Sequence, residues 1–177
     1  EVPIAVTALT GTMLEDRQIT MATDLQMNAP SVSFSSTNFG GSTFSIRGIG
    51  RLVIAASGEN GVSEHINDIP ITSNLNAIEF FDISRVEVLR GPQGTLYGAN
   101  ALAGLINVVT PASTIDWQSR AQFDLGNYGA QGVGAVISGP LSDNVGMRFS
   151  ARKYRDDGFI DNVFLPSKST DNHDEST

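Results

Sequence analysis

Between residues 119 and 152, apolar side chains fall on every second position in three successive segments. In SRAQFDLG (119–126), Ala121, Phe123 and Leu125 stand against Arg120, Gln122 and Asp124. In QGVGAVIS (131–138), Val133, Ala135 and Ile137 stand against Gly132, Gly134 and Ser138, and in VGMRFSAR (145–152) Val145, Met147, Phe149 and Ala151 alternate with Gly146, Arg148, Ser150 and Arg152. Period two is the strand period, because successive side chains leave a pleated backbone on opposite faces. The joints, Asn127-Tyr128-Gly129 and Gly139-Pro140-Leu141-Ser142-Asp143-Asn144, are made of turn residues. Consecutive apolar-faced strands of this kind fit the wall of a membrane β-barrel. They fit a soluble meander over a core equally well, and periodicity alone leaves both open.

Upstream the pattern changes. In RVEVLRGPQGTLYGANALAGLINVVT (85–110), Gly91, Pro92, Gly94, Gly98 and Gly104 lie between two apolar runs, Val86–Leu89 and Leu105–Val109. Glycine permits positive φ and close backbone approach, and proline removes a ladder donor, so the stretch predicts a strand, a tight knuckle and a return strand. One or two helical turns are expected over Thr95–Ala103. A phosphate loop would need a Lys-Ser/Thr end that is absent. The G-x-G pair Gly48/Gly50 likewise lacks the third glycine of a dinucleotide fingerprint, since Val53 stands there.

The first thirty residues read as short helices and turns, with Thr12 and Glu15 as a capping box and Pro30 stopping a second helix. Ser31–Phe34 reads as a strand fragment. Phe44–Arg47 alternates as a strand closed by Gly48-Ile49-Gly50. Val62–Ile66, Asn67-Asp68 and Ile69–Thr72 have the form of a hairpin, and a brief helix is expected around Asn76–Phe81. Together these predict an α+β domain whose small mixed sheet contains the runs 44–47, 62–66, 86–90 and 105–109.

Charge and composition narrow the function classes. A net charge of −8 and a pI near 4.6 deny the chain the basic field that nucleic acid requires. With no cysteine, disulfides, thiolate nucleophiles and Cys-type metal sites are excluded. The longest apolar run, Ala101–Val109, contains Asn107 and is far short of the ~20 residues of a membrane-spanning helix. Glu1 does not begin a signal peptide, so any leader is expected upstream. His65 and His173 are the only histidines and show no ligand spacing. Glu64 and Asp68 read as solvated surface charges rather than a catalytic pair. No nucleophile–base arrangement is visible, so no enzyme activity and no cofactor or metal are expected.

Ile46-Arg47-Gly48, LRGPQGTLYG (89–98) and GLINVVT (104–110) resemble the plug domain of TonB-dependent outer-membrane receptors, and the likeness extends over nearly the whole chain. It implies a plug over residues 1–112 and the first antiparallel strands of a transmembrane β-barrel over 113–177, a barrel too large to close within this chain. It implies a bacterial outer-membrane location and import of a scarce nutrient, a ferric siderophore above the other substrates of such receptors. The implied partners are that small molecule, outer-membrane lipid and a TonB-type inner-membrane energy-coupling protein whose binding segment lies outside the chain. The alternative is a stand-alone soluble plug-like binding or signalling module.

From the same resemblance, Arg47 and Arg90 match arginines that latch the plug to barrel glutamates, a task suited to the fixed donor fork of a guanidinium. Gly91, Pro92, Gly94, Gly98 and Gly104 form a structural knuckle. Loops 37–42, 73–76 and 95–100 are expected at the outer face of a plug, where Asn38, Phe39, Asn74, Tyr97 and Asn100 are candidate substrate contacts. The sequence departs from the family where His65-Ile66-Asn67-Asp68 replaces Tyr-Val-Asp-Gly, where Ala99 follows LYG, and where Ala103 precedes a single Gly104.

Overall fold

A computed structural model of the chain describes residues 5–36, 42–50, 61–71, 75–97, 101–158 and 174–176. These fall in two compact units, Glu1–Pro111 and Ala112–Thr177. In chain order the first unit contains β1 (Ala5–Thr10), α1 (Gly11–Asp16), α2 (Leu25–Asn28), β2 (Val32–Ser36), β3 (Ser42–Ile46), β4 (Ile49–Gly50), β5 (Val62–Ile66), β6 (Ile69–Pro70), β7 (Arg85–Arg90), α3 (Gly94–Tyr97) and β8 (Gly104–Val109). Single 3-10 turns lie at Ala22–Asp24 and Leu75–Ala77.

Five strands form one sheet in the order β1-β7-β8-β5-β6. It is mixed, because β5 runs parallel to β8 while the other pairs are antiparallel. One face carries Leu9, Val86, Val88, Ile106, Val108 and Val62 into the core, where Leu14 of α1, Leu25 of α2 and Leu75 join them. Burying each such side chain contributes roughly 1.5–3 kcal/mol, which outweighs the weak intrinsic preference of helices this short.

Several expectations are corrected here. The opening residues are not only helix and turn, since Ala5–Thr10 is a sheet strand whose Leu9 pairs with Val86. The helix that follows is capped by Thr10, whose hydroxyl accepts the Met13 N–H at 3.3 Å, and not by Thr12. The run 44–47 lies outside the mixed sheet. Its strand β3 is flanked by its own sequence neighbours in a separate β2-β3-β4 sheet, so β5 finds its partner in β8. That small sheet still feeds the same core through Val32, Phe44 and Ile46. The helix expected at 76–81 is one 3-10 turn, after which the backbone crosses to pair Met21 with Glu79 and to bond Phe80 N–H to the Thr20 carbonyl at 2.7 Å. Within 95–103, helix is described only as far as Tyr97.

In the second unit β9 (Gln118–Leu125), β10 (Gln131–Ser142), β11 (Val145–Asp156) and β12 (Asp174–Ser176) form an antiparallel sheet in the order β12-β11-β10-β9. The joint placed at Gly139–Asn144 is shorter than its composition indicates. The ladder continues past Pro140 with a register shift before Ser142, leaving Asp143-Asn144 as a two-residue turn.

Candidate functional site

The three motif segments of the first unit meet at Gly104. It pairs with Arg90, takes φ +154°, and a Cβ there would run into the Leu89 carbonyl and stand 2.8 Å from the Ile46 side chain. Only glycine lets the Ile46-Arg47-Gly48 turn, the end of β7 and the start of β8 close on one point. Gly91 also takes positive φ, at +111°, and donates its N–H to the Ala103 carbonyl at 2.9 Å. Gly94 is different. It has no positive φ, a Cβ there meets open space, and it opens α3. Pro92 is exposed, and Gly98 lies outside the described residues.

Arg47 and Gly48 have φ of +55° and +76° and form the tight turn between β3 and β4, so the Arg47 side chain projects from a hairpin tip and is exposed. Its own N–H is held by the Ser31 carbonyl at 2.9 Å. Arg90 is half-buried, with Nη2 donating to the Thr7 hydroxyl at 3.0 Å and Nε to the Ala5 carbonyl at 3.4 Å. One arginine is thus presented outward, while the other already ties β7 to β1.

Of the proposed contact residues, Asn38, Phe39, Asn74 and Asn100 lie outside the described residues, and Tyr97 is described. Its ring meets His65 edge-on at 5.4 Å between centroids. The described ends of two of the contact loops touch, because Asn76 Nδ2 donates to the Ser42 hydroxyl at 2.6 Å. The Asn76 Oδ1 is buried without a partner among the described residues.

The sheet face opposite the main core carries a polar chain that sequence reasoning missed. His65 is 1% exposed. Its Nε2 lies 2.8 Å from the Ser63 hydroxyl, and its Nδ1 donates to the Asp68 carbonyl at 3.1 Å. Beside it the buried Asn107 donates to the Asp68 carboxylate at 2.8 Å and to Glu87 at 3.4 Å, while accepting the Asp68 N–H at 3.1 Å. Asn67 and Asp68 take φ of +50° and +65°, the left-handed pair of a two-residue hairpin. The substituted turn therefore keeps its hairpin geometry and is pinned to β8.

Asp68 is exposed at the hairpin turn as expected, whereas Glu64 is half-buried and not the solvated charge expected of it. Glu64 accepts the Leu75 N–H at 2.7 Å, and burial raises its carboxyl above the ordinary range while that hydrogen bond partly offsets the rise. The signal available in the sequence was Asn107, a lone amide inside an apolar strand. Among the described residues no cluster of metal-ligating side chains occurs.

The second unit is polar on one face and apolar on the other, with the apolar face exposed. Phe123, Leu125 and Phe149 are 77%, 88% and 62% exposed, and Val133 and Ile137 share their side. The opposite parity carries Gln122, Asp124, Ser138 and Arg152. Arg152 reaches across the intervening strand to Asp124 at 2.9 Å, over Gly132, where a Cβ would press on the carboxylate. No helix among the described residues is long and apolar enough to cross a membrane, whereas strands with this inverted polarity suit a β-barrel wall.

Comparison with known proteins decides the family. The model of the TonB-dependent receptor plug domain matches residues 1–105. The chain belongs to the TonB-dependent receptors. The pesticin receptor of Yersinia pestis is 35% identical over 144 residues, covering 80% of this chain and 21% of the relative. The iron-regulated outer membrane virulence protein of Vibrio cholerae is 28% identical over 176 residues, covering 92% and 26%. The crystal structure of the ferric yersiniabactin uptake receptor FyuA from Yersinia pestis superposes with a TM-score of 0.66 at 27% identity, over 86% of this chain and 24% of that one. This TonB-dependent receptor chain spans about a quarter of the length of such relatives. Its fold is the family's α+β plug with a mixed sheet, followed by antiparallel strands of a barrel that does not close within these residues. With relatives named as outer-membrane receptors, its place is the bacterial outer membrane.

Proposed function

We propose that residues 1–112 plug, and residues 113–177 begin the wall of, an outer-membrane transporter that imports a scarce nutrient of the ferric siderophore type. The observation that carries this reading is the inverted polarity of β9–β11 directly after a plug of this family. A face bearing Phe123, Leu125 and Phe149 is stable against acyl chains, and the opposite face, with Arg152 and Asp124, against a polar interior. β11 spans about 36 Å at ~3.3 Å per residue. Tilted by ~40°, it rises about 28 Å, enough for an apolar band of ~25 Å. The iron-related names of several relatives, including a ferric-pyoverdine receptor of Pseudomonas putida, favour a ferric chelate over cobalamin, which a Vibrio vulnificus relative transports by name.

In this reading the substrate binds from outside at the plug loops. Asn38, Phe39, Asn74, Tyr97 and Asn100 grip a polar chelate through amides and aromatic faces, and the Asn76 Oδ1, buried without a partner among the described residues, supports a polar ligand nearby. A TonB-type protein in the inner membrane supplies the work that moves the plug, and no bond of the substrate changes. Arg47, exposed at its hairpin tip, is the better placed of the two latch candidates to pair with a wall carboxylate. The test is uptake of radiolabelled ferric chelates by cells lacking their own receptors and expressing the full-length protein, with and without the energy-coupling partner. Coupling-dependent uptake of at least one chelate is expected. A full-length product recovered in the soluble fraction, restoring no uptake, would overturn the reading.

A further inference from the structure

On the core face of β5, Val62 and Ile66 pack against apolar neighbours, and between them stands Glu64, paired with the fully buried Ile106 of β8. A carboxyl half-buried in such company costs desolvation, where an aliphatic side chain would add favourable burial. Glu64 instead holds the segment that follows the hairpin. Its carbonyl accepts the Ile71 N–H at 2.9 Å and its carboxylate accepts the Leu75 N–H at 2.7 Å, so one residue grips both ends of the stretch 71–75.

The first N–H groups of a helical turn have no partner within the turn. At Leu75, which opens the 3-10 turn Leu75–Ala77 and is fully buried, the partner comes from the sheet, 11 residues back. The next residue is Asn76. Its Nδ2 donates at 2.6 Å to the hydroxyl of Ser42, the first residue of β3, and its Oδ1 is buried without a partner among the described residues. Asn76 is thus located from two sides, by β3 through its own amide and by β5 through Leu75, with an acceptor that neither strand uses. We propose that Glu64 is a positioning residue for the substrate: through the Leu75 N–H it fixes Asn76, whose Oδ1 accepts a hydrogen bond from an N–H or O–H group of the bound chelate. This role rests on the transporter reading, in which the plug loops meet the substrate. Fixing the acceptor before the ligand arrives removes an ordering cost from binding, so loss of Glu64 should appear in affinity and not in turnover.

The experiment is uptake by receptor-deficient cells expressing the full-length protein, with ferrichrome, ferric enterobactin and ferric pyoverdine as probes and the half-saturating concentration as readout. For a probe that wild type imports, Glu64→Leu is expected to raise that concentration about tenfold or more at an unchanged maximal rate per folded receptor. Glu64→Gln keeps an acceptor for the Leu75 N–H and should stay within about twofold of wild type. Asn76→Ala should raise the concentration at least as much as Glu64→Leu, and the double variant should be no worse than Asn76→Ala alone, because both changes remove one contact. Hydrogen exchange of the full-length protein without chelate should accelerate in Glu64→Leu by a larger factor over 75–78 than over 86–90, which separates a released turn from lost folding. An unchanged half-saturating concentration in Glu64→Leu, additive losses in the double variant, or equal acceleration over the two segments would each overturn this role, while wild-type uptake leaves the transporter reading standing. Import of none of the three probes by wild type would overturn this role together with the ferric-chelate reading.

Discussion

At Gly104 a single added Cβ would meet both the Leu89 carbonyl and the Ile46 side chain. Replacement by alanine forces the backbone of β7 to move, and we expect a loss on the order of 3 kcal/mol in urea melting of the chain. Gly94→Ala, which meets open space, should change the midpoint little. Glu64 gives a pH dependence whose sign is fixed by its surroundings. Burial raises its folded-state value above the ordinary 4.5, so the folded chain holds the proton more tightly than the unfolded one. This contribution to stability is full below the ordinary range and is lost as pH rises through the raised value. Glu64→Gln keeps an acceptor for the Leu75 N–H and should flatten that slope. Glu64→Leu orphans the N–H and should cost about 1–3 kcal/mol at every pH.

Among the elements, β9–β11 were the most legible, because their alternation is local to each segment and needs no knowledge of a partner. The strand β1 was not, since Ala5 pairs with Arg90 far along the chain and a short run of Val, Thr and Leu reads equally as helix. Phe44–Ile46 announced a strand without announcing which sheet would hold it. The Asp124–Arg152 pair joins residues 28 apart across an intervening strand, and its only trace in sequence is glycine at 132 and 134 between long polar neighbours. The two faces of this sheet should respond oppositely to charge. Ala135→Arg, at the middle of the outward face, should cost roughly 2–4 kcal/mol of membrane assembly. Gln122→Arg on the inner face should be tolerated. The folded fraction of the full-length protein, read by heat-dependent gel mobility, checks both.

For the molecule as a whole, the two arginines of the motif segments should separate in the full-length receptor. Arg47→Ala is expected to raise passive permeability with little change in plug stability, because its side chain is exposed at a turn. Arg90→Ala removes hydrogen bonds to Thr7 and Ala5 and should also loosen β1, by about 1–2 kcal/mol. Faster hydrogen exchange over residues 5–10 in the Arg90 variant alone is the expected readout. Equal exchange in both variants would count against this division. The pairing of β1 with β7 also constrains biogenesis. A polypeptide delivered amino terminus first presents Ala5–Thr10 long before Arg85–Arg90 exists to receive it, and the parallel contact of β5 with β8 waits longer still. Such non-local closures are slow, so β1 emerges well before the strand that secures it, and its hydrogen-bonding edge stays open for that interval.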